Sequence, residues 1–140
     1  MNGPLLSAIA ALALSSLPAS RAHAAEVACP ASIKVAETLD PPPPESWSAQ
    51  YDHAPRYLAG VTFFDGDPKE NRSIVPTRDT PTAGKRRLAV WRFGSSAVPV
   101  WLGCRYLNTG VLLARRLPDS VRACRVSYAA GGVVERIDCQ

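Results

Sequence analysis

Two cysteines that flank a Gly-Gly pair near the end of the chain constrain its fold more than any other feature. Gly131-Gly132 is typical of a two-residue β-hairpin loop, because the type I′ and II′ turns that close such loops require positive φ angles. With this loop, facing residues are those whose numbers sum to 263, the sum of 131 and 132. The predicted pairs are Cys124 with Cys139, Val126 with Ile137, Tyr128 with Glu135, Arg125 with Asp138 and Ser127 with Arg136. This register predicts a hairpin closed by a disulfide between Cys124 and Cys139.

The four cysteines are expected to form two disulfides. Facing residues in an antiparallel pair have Cβ atoms about 4.5–5.5 Å apart. A disulfide needs about 3.5–4.5 Å, so Cys124 and Cys139 would have to form a non-hydrogen-bonded pair with local twist. By elimination, Cys29 would pair with Cys104 and join the start of the mature chain to a central strand. Four cysteines permit three connectivities, and the sequence alone leaves the other two open.

Residues 1–24 have the pattern of a secretory signal peptide. The apolar run 5–17 is shorter than the ~20 residues that span a bilayer, and Ala22-His23-Ala24 is a small-x-small cleavage site. The segment before the run has no Lys or Arg, which departs from the usual pattern. Cleavage after Ala24 would leave residues 25–140, enough for a single β-rich domain. The product is expected to be periplasmic or secreted, without membrane insertion, in a compartment where disulfides persist.

Apolar–polar alternation between turn residues predicts about seven strands. They cover residues 33–39, 57–64, 86–93, 100–108 and 111–117, followed by the two arms of the hairpin. A short helix is predicted over 44–54 and a long loop over 73–85. The 13 prolines and 9 glycines favour turns over long helices. We therefore expect a mostly β fold, a small antiparallel β-sandwich or meander with two disulfides.

Positive charge is concentrated in the second half of the chain. Residues 25–70 contain eight carboxylates and three basic residues, whereas residues 71–140 contain twelve basic residues and four carboxylates. Arginine binds carboxylates in a bidentate manner and is enriched at interfaces, so an acidic protein partner is one interpretation. The candidate interface residues are Arg86, Arg87, Arg115 and Arg116. The alternative is that these arginines line solvated faces. Nucleic-acid binding is not expected, because the chain is predicted to be exported and has no known nucleic-acid-binding motif.

Two further segments are candidates for partner contact. The prolines at 41–44 favour a stiff polyproline II segment, and Trp47 follows them. One interpretation is an exposed ligand for a proline-binding groove, and the favoured one is a rigid arm whose Trp47 caps one end of the core. Trp47 is in addition a candidate residue of the protein interface. The long loop 73–85 is a candidate interaction loop, and the alternative is a simple connection.

Residues that could support catalysis or hold a metal are few. His53 is the one histidine left after signal removal, and the neighbouring Asp52 does not by itself make a catalytic triad. Asp65, Asp67 and Glu70 lack the later ligands of a calcium loop, and paired cysteines cannot bind zinc. We therefore predict no catalytic residue, no metal and no cofactor, and a binding protein in preference to an enzyme.

Short motifs along the mature chain carry a family resemblance. They are Cys29-Pro-x-x-Ile33-x-Val35, the proline run with Trp47, Gly60-Val61-x-Phe63-Phe64-Asp65-Gly66, Ser73-Ile74-Val75-Pro76, Trp91-x-Phe93, Trp101-Leu102-x-Cys104-Arg105-Tyr106, Cys124 and Ile137-x-Cys139. Together they resemble an uncharacterised family of small exported, four-cysteine proteobacterial proteins, catalogued under an enterobacterial locus tag and without an assigned activity. The resemblance covers nearly the whole mature chain and implies no catalytic residue.

Some members of that family belong to gene neighbourhoods of contact-dependent antibacterial systems. The resemblance therefore implies an immunity protein that blocks the active site of a wall-degrading toxin in the periplasm. The expected function is a periplasmic protein-binding module of the inhibitor or immunity type, with a toxin or hydrolase as its partner. The alternative is a small cell-wall-active hydrolase or an envelope structural protein.

Overall fold

The computed structural model describes residues 27–81, 86–95 and 98–140, and the protein is mostly β. The predicted signal peptide, residues 1–24, lies outside the described residues. Nine strands are present in the described ranges: β1 Ser32–Ile33, β2 Arg56–Asp65, β3 Ser73–Ile74, β4 Arg78–Pro81, β5 Arg87–Arg92, β6 Val100–Tyr106, β7 Leu112–Arg116, β8 Ala123–Tyr128 and β9 Val134–Cys139. A single 3-10 turn, Pro68–Glu70, lies between β2 and β3.

The strands form two antiparallel sheets. The first sheet has the order β1-β2-β6-β7, with β3 paired to the far end of β2. The second has the order β4-β5-β8-β9. Disulfides join Cys29 to Cys104 and Cys124 to Cys139. The prediction of a mostly β antiparallel fold with two disulfides is therefore confirmed.

Buried side chains from both sheets form one core. Phe63 of β2 has its ring centroid 4.9 Å from that of Trp91 and 5.3 Å from that of Phe93. Trp91 is buried, and its indole Nε1 donates a hydrogen bond of 2.9 Å to the carbonyl oxygen of Ile74. This bond satisfies the polar atom of a buried aromatic side chain and ties β3 to the second sheet.

The final hairpin has most of the predicted register. Cys124 faces Cys139, and the pairs 125–138, 126–137 and 127–136 follow as predicted. The pairing of Tyr128 with Glu135 is wrong, because a β-bulge places Tyr128 opposite Val134. The cause is the loop: Ala129 N donates to Val133 O at 2.8 Å, so the loop has three residues rather than two.

Three other predictions need correction. The strand predicted over 33–39 ends at Ile33, because only 32–33 pair with β2 and the residues after them find no partner strand. The helix predicted over 44–54 is absent; one turn closes from Trp47 N to Pro44 O at 3.1 Å, and Asp52 hydrogen-bonds Ala54 N locally. The segment 73–81 of the predicted long loop contains β3 and β4, and its end, 82–85, lies outside the described residues.

Candidate protein-binding surface

The four candidate arginines lie in two places. Arg87 is the first residue of β5 in the second sheet and Arg86 directly precedes it, whereas Arg115 and Arg116 end β7 in the first sheet. The structure therefore places the pair Arg86–Arg87 in one sheet and the pair Arg115–Arg116 in the other. Successive residues of a strand point to opposite faces, so Arg115 and Arg116 also diverge from each other.

Arg87 is held in place by two contacts. Its Nε lies 2.7 Å from Asp79 Oδ1 on the neighbouring strand β4. Its guanidinium carbon lies 4.6 Å from the centroid of the Tyr128 ring, in cation–π geometry. Burial raises the pKa of the Tyr128 phenol, and the positive charge of Arg87 acts in the opposite direction. Arg87 is thus a positioned side chain whose charge is partly neutralised within the protein.

Like Arg87, the other three arginines are exposed. Arg116 Nη2 contacts both carboxylate oxygens of Asp119, at 2.8 and 3.2 Å. Arg86 lies 3.6 Å from Glu135 at the edge of the second sheet. Arg115 has no ion pair within the part of the chain that the structure describes. Of the four, Arg115 therefore presents its positive charge to solvent most directly.

Trp47 lies on an extended arm, residues 34–55, between β1 and β2. Its side chain is 76% exposed, so the interpretation that it caps the core is wrong. The rest of the arm is also largely exposed. Trp47 is therefore accessible to a partner, as a binding residue would have to be.

A buried arginine anchors this arm, and sequence reasoning missed it. Arg56 is only 7% exposed, and its guanidinium lies 2.9 Å from Asp52 Oδ2 and 3.2 Å from Glu37 Oε1. A hydrogen bond from Ala54 N, and then the Arg56 side chain, hold the pKa of Asp52 below its usual value. Glu37 lies near the first end of the arm and Asp52 near its last, so the ion pairs with Arg56 hold both ends of the arm against the start of β2. No local pattern distinguishes such an arginine from a solvated one at a strand end.

A groove of about 1020 Å³ lies along β9, and sequence reasoning missed it as well. One wall is made of seven consecutive residues, 133–139. The opposite wall comes from the first sheet and the segment before it, and includes residues 27–29, Tyr57 and Leu107. Its rim carries three exposed apolar side chains, since Tyr57, Leu107 and Val133 are 60%, 53% and 58% exposed. We call this feature the edge groove.

Two of the residues considered for catalysis or metal binding, Asp52 and Asp67, make local hydrogen bonds. Asp52 accepts hydrogen bonds from Ala54 N and from Arg56 rather than orienting His53. In the acidic turn, Asp67 Oδ1 accepts from Lys69 N and caps the 3-10 turn. Within 27–81, 86–95 and 98–140, no group of three or more His, Cys, Asp or Glu side chains could hold a metal ion. Among the same residues there is no helix with the length and apolar character needed to cross a membrane.

Comparison with known proteins gives a family match over most of the chain. Residues 52–140 match the family described as Type VI secretion system Tli immunity protein. The chain belongs to this Tli immunity family. It is also 34% identical over 122 residues to an uncharacterised 16.3 kDa protein in the trpG 5′ region of Azospirillum brasilense, with 78% of this chain and 75% of that protein covered. No solved structure matches the chain.

The extent of the Tli immunity match bears on the candidate surface. It includes the two arginine pairs and all of β9. It begins after Trp47, so most of the extended arm lies outside the matched residues. The residues that match the Tli immunity family therefore include strands β2 to β9, whereas β1 and the tip of the arm lie outside the match.

Proposed function

We propose that this chain is an immunity protein that binds a toxin delivered by a type VI secretion system and neutralises it in the periplasm. The observation that carries the proposal is the match of residues 52–140 to the Tli immunity family. Export would be directed by residues 1–24, leaving the domain 25–140. The two disulfides support an oxidising compartment.

The proposed mechanism is stoichiometric binding rather than chemistry. An immunity protein has to occlude its toxin with an interface of about 1,200–2,000 Å², in which a few aromatic and arginine side chains contribute most of the affinity. The exposed Trp47 and the four candidate arginines are side chains of these types. No catalytic residue, metal or cofactor takes part in this mechanism.

A titration distinguishes this function from the alternative of a wall-active hydrolase. Disulfide-intact chain 25–140 is added to the purified toxin encoded beside its gene, and residual toxin activity is measured. We expect inhibition to be complete at one equivalent and to be retained by His53→Ala. Inhibition far below one equivalent, or its loss with His53→Ala, would indicate an enzyme. An unaffected toxin at excess chain would contradict the proposed function.

A growth assay tests the compartment. The same toxin is exported to the periplasm of a heterologous Gram-negative host, together with the full chain or with a form that lacks residues 2–24. The full chain should protect the cells, whereas the shortened form should not, because it stays on the other side of the membrane from the toxin. Equal protection by both forms at matched protein levels would contradict a periplasmic site of action.

The arginine pair at the end of β7 is proposed to guide association. Arg115→Glu with Arg116→Glu should slow association with the toxin and weaken its salt dependence, because rim charges act mainly on encounter rates. The matched control is Arg92→Glu with Arg125→Glu, which makes the same change in net charge at two exposed positions of the second sheet. Equal kinetics for the two double variants would remove the β7 arginines from the interface.

A further inference from the structure

The edge groove faces the backbone of β9 rather than one of its faces. A surface that lies over a face of a strand contacts every second residue, because successive side chains point to opposite sides. The edge groove is instead lined by seven consecutive residues, 133–139. At roughly 3.3 Å per residue this wall is about 20 Å long, enough for a short extended peptide.

The hydrogen-bond alternation of the hairpin shows which backbone groups point into the groove. Ala123 and Gln140 exchange both of their backbone hydrogen bonds, at 3.0 and 2.9 Å. In an antiparallel pair such residues alternate with pairs that exchange none. Cys139 and Ile137 are therefore in non-hydrogen-bonded pairs with β8. Their N–H and C=O groups point away from β8, toward the open edge.

Of the strands at the sheet edges, β9 is the one whose form suits pairing with another chain. Edge strands are protected when they are short, contain proline or carry charge. β1 and β3 have two residues each, β4 has four and ends in Pro81, and β7 carries Arg115, whose charge has no ion-pair partner among the described residues. β9 has six residues and no proline, and its charged side chains Glu135, Arg136 and Asp138 are each ion-paired.

The charges beside the edge groove are neutralised locally. Arg136 Nε lies 2.6 Å from Asp138 Oδ1 on the same strand, and Glu135 lies 3.6 Å from Arg86. The lining is thus two ion pairs together with the apolar rim of Tyr57, Leu107 and Val133. A neutral, apolar segment complements this surface, whereas an acidic one would suit the arginine end of β7.

We propose that the edge groove is the docking site for an extended, apolar segment of the toxin, which adds to β9 as a fifth strand of the second sheet. This inference rests on the proposed immunity function. The incoming backbone bonds the outward N–H and C=O groups of Ile137 and Cys139. Its alternate side chains lie against the apolar rim. Strand addition of this kind supplies affinity through backbone bonds and specificity through side-chain contacts.

The test combines binding with amide exchange, using chain 25–140 and the purified toxin encoded beside its gene. Leu107→Glu with Val133→Glu should weaken binding by about 100-fold, or about tenfold for each anchor whose apolar contact is replaced by a desolvated charge. The matched control is Val111→Glu with Leu113→Glu, which introduces the same two charges at exposed apolar residues, one just before β7 and one on it. It should bind within about threefold of the wild type, as expected for a position outside the core of an interface.

Amide exchange followed by NMR reports on the backbone directly. The amides of Ile137 and Cys139 should exchange quickly in the free chain and at least about tenfold more slowly in the complex, because pairing protects them. Unchanged exchange in a tight complex would overturn the edge-groove proposal while leaving the immunity function standing. Absence of any toxin binding by the wild type would overturn both.

Two other occupants of the groove give different results. Slow exchange at Ile137 and Cys139 that appears only at high concentration, with a doubled mass, would mean that a second copy pairs with β9. Slow exchange in the free monomer would mean that the chain covers its own edge. Either result would overturn docking of a toxin strand.

Discussion

Replacement of Gly103 by alanine should destabilise the protein by about 1–2 kcal/mol. A Cβ atom at this position would lie 2.7 Å from Phe64 Cε2 and 3.0 Å from Leu112 Cδ1. Phe64 is only 7% exposed, so its ring has little room to withdraw. Overpacking of this kind costs about 1–3 kcal/mol, and the lower entropy of the unfolded alanine variant offsets about 0.4–1 kcal/mol of it.

Urea unfolding of the disulfide-intact chain measures this effect. With a slope of about 1–2 kcal/mol/M for a small domain, the midpoint should fall by roughly 1 M. Gly110→Ala is the matched control, because no atom lies within 4 Å of a Cβ built at that position. It should leave the midpoint unchanged or raise it slightly.

A second substitution tests whether the ring of Phe64 is the cause. Phe64→Leu in the Gly103→Ala background should cost less than Phe64→Leu alone, because the smaller side chain makes room for the new methyl group. If Gly103→Ala and Gly110→Ala had the same midpoint, the close approach of Phe64 to the β6 backbone would be refuted as a constraint.

Three further predictions concern the disulfide of the hairpin, the arm anchor and a buried phenol. The double variant Cys124→Ser with Cys139→Ser lacks the cross-link that restricts the unfolded chain. Its free energy of unfolding, measured with urea, should be about 3 kcal/mol lower than that of the wild type. The pKa of Asp52 is lowered in the folded protein. The stability linked to its ionised carboxylate is therefore fully present above the usual pKa of 3.8 and is lost as the pH falls through the folded pKa. Asp52→Asn should therefore flatten the acid limb of a stability–pH profile, and an unchanged limb would argue against the hydrogen bonds from Ala54 N and Arg56. Burial raises the pKa of the Tyr106 phenol above 10.0, so the stability linked to its neutral form is fully present below pH 10.0 and is lost as the pH rises through the folded pKa. Tyr106→Phe should remove that loss from the alkaline limb of a stability–pH profile, and an unchanged limb would contradict the raised pKa.

The hairpin could be predicted because its determinants are local. Gly131 and Gly132 have φ angles of 85° and 82°, as the turn chemistry requires. The facing of Cys124 with Cys139 follows from counting along the strands. The bulge opposite Tyr128 could not be predicted by counting, because it depends on which residues close the turn. In the structure Ala129 N bonds Val133 O, whereas the predicted two-residue loop would be closed by residues 130 and 133.

The arm was predicted poorly because its determinants are distant in sequence. Alternation over 33–39 is necessary for a strand but not sufficient, since a strand also needs a partner edge. Beyond Ile33 the chain instead runs to Glu37, which pairs with Arg56 nineteen residues later. An ion pair at that separation leaves no periodic signal. The interpretation that Trp47 caps the core is wrong for the same reason, since nothing in the local sequence shows whether the arm folds back onto the core, and the structure leaves Trp47 in solvent.

The candidate surface was predicted only in part. The arginines could be found by composition, but whether they form one face depends on sheet order, which places β5 and β7 in different sheets. The edge groove lies between a wall from the first sheet and a strand edge of the second. No sequence pattern reports on a space between two sheets, so this feature required the three-dimensional arrangement.

The two disulfides acquire a common role once the edge groove is known. Cys29 lies in one wall of the groove and Cys139 in the other. The first is bonded to Cys104 in the middle of β6, and the second to Cys124 at the start of β8. Each wall is therefore tied covalently to a strand buried inside its sheet. A groove whose walls are already ordered loses less conformational entropy when a strand enters it, so more of the interaction free energy remains as affinity. On this reasoning the cysteines stabilise the small fold and also keep the edge of β9 open for a partner.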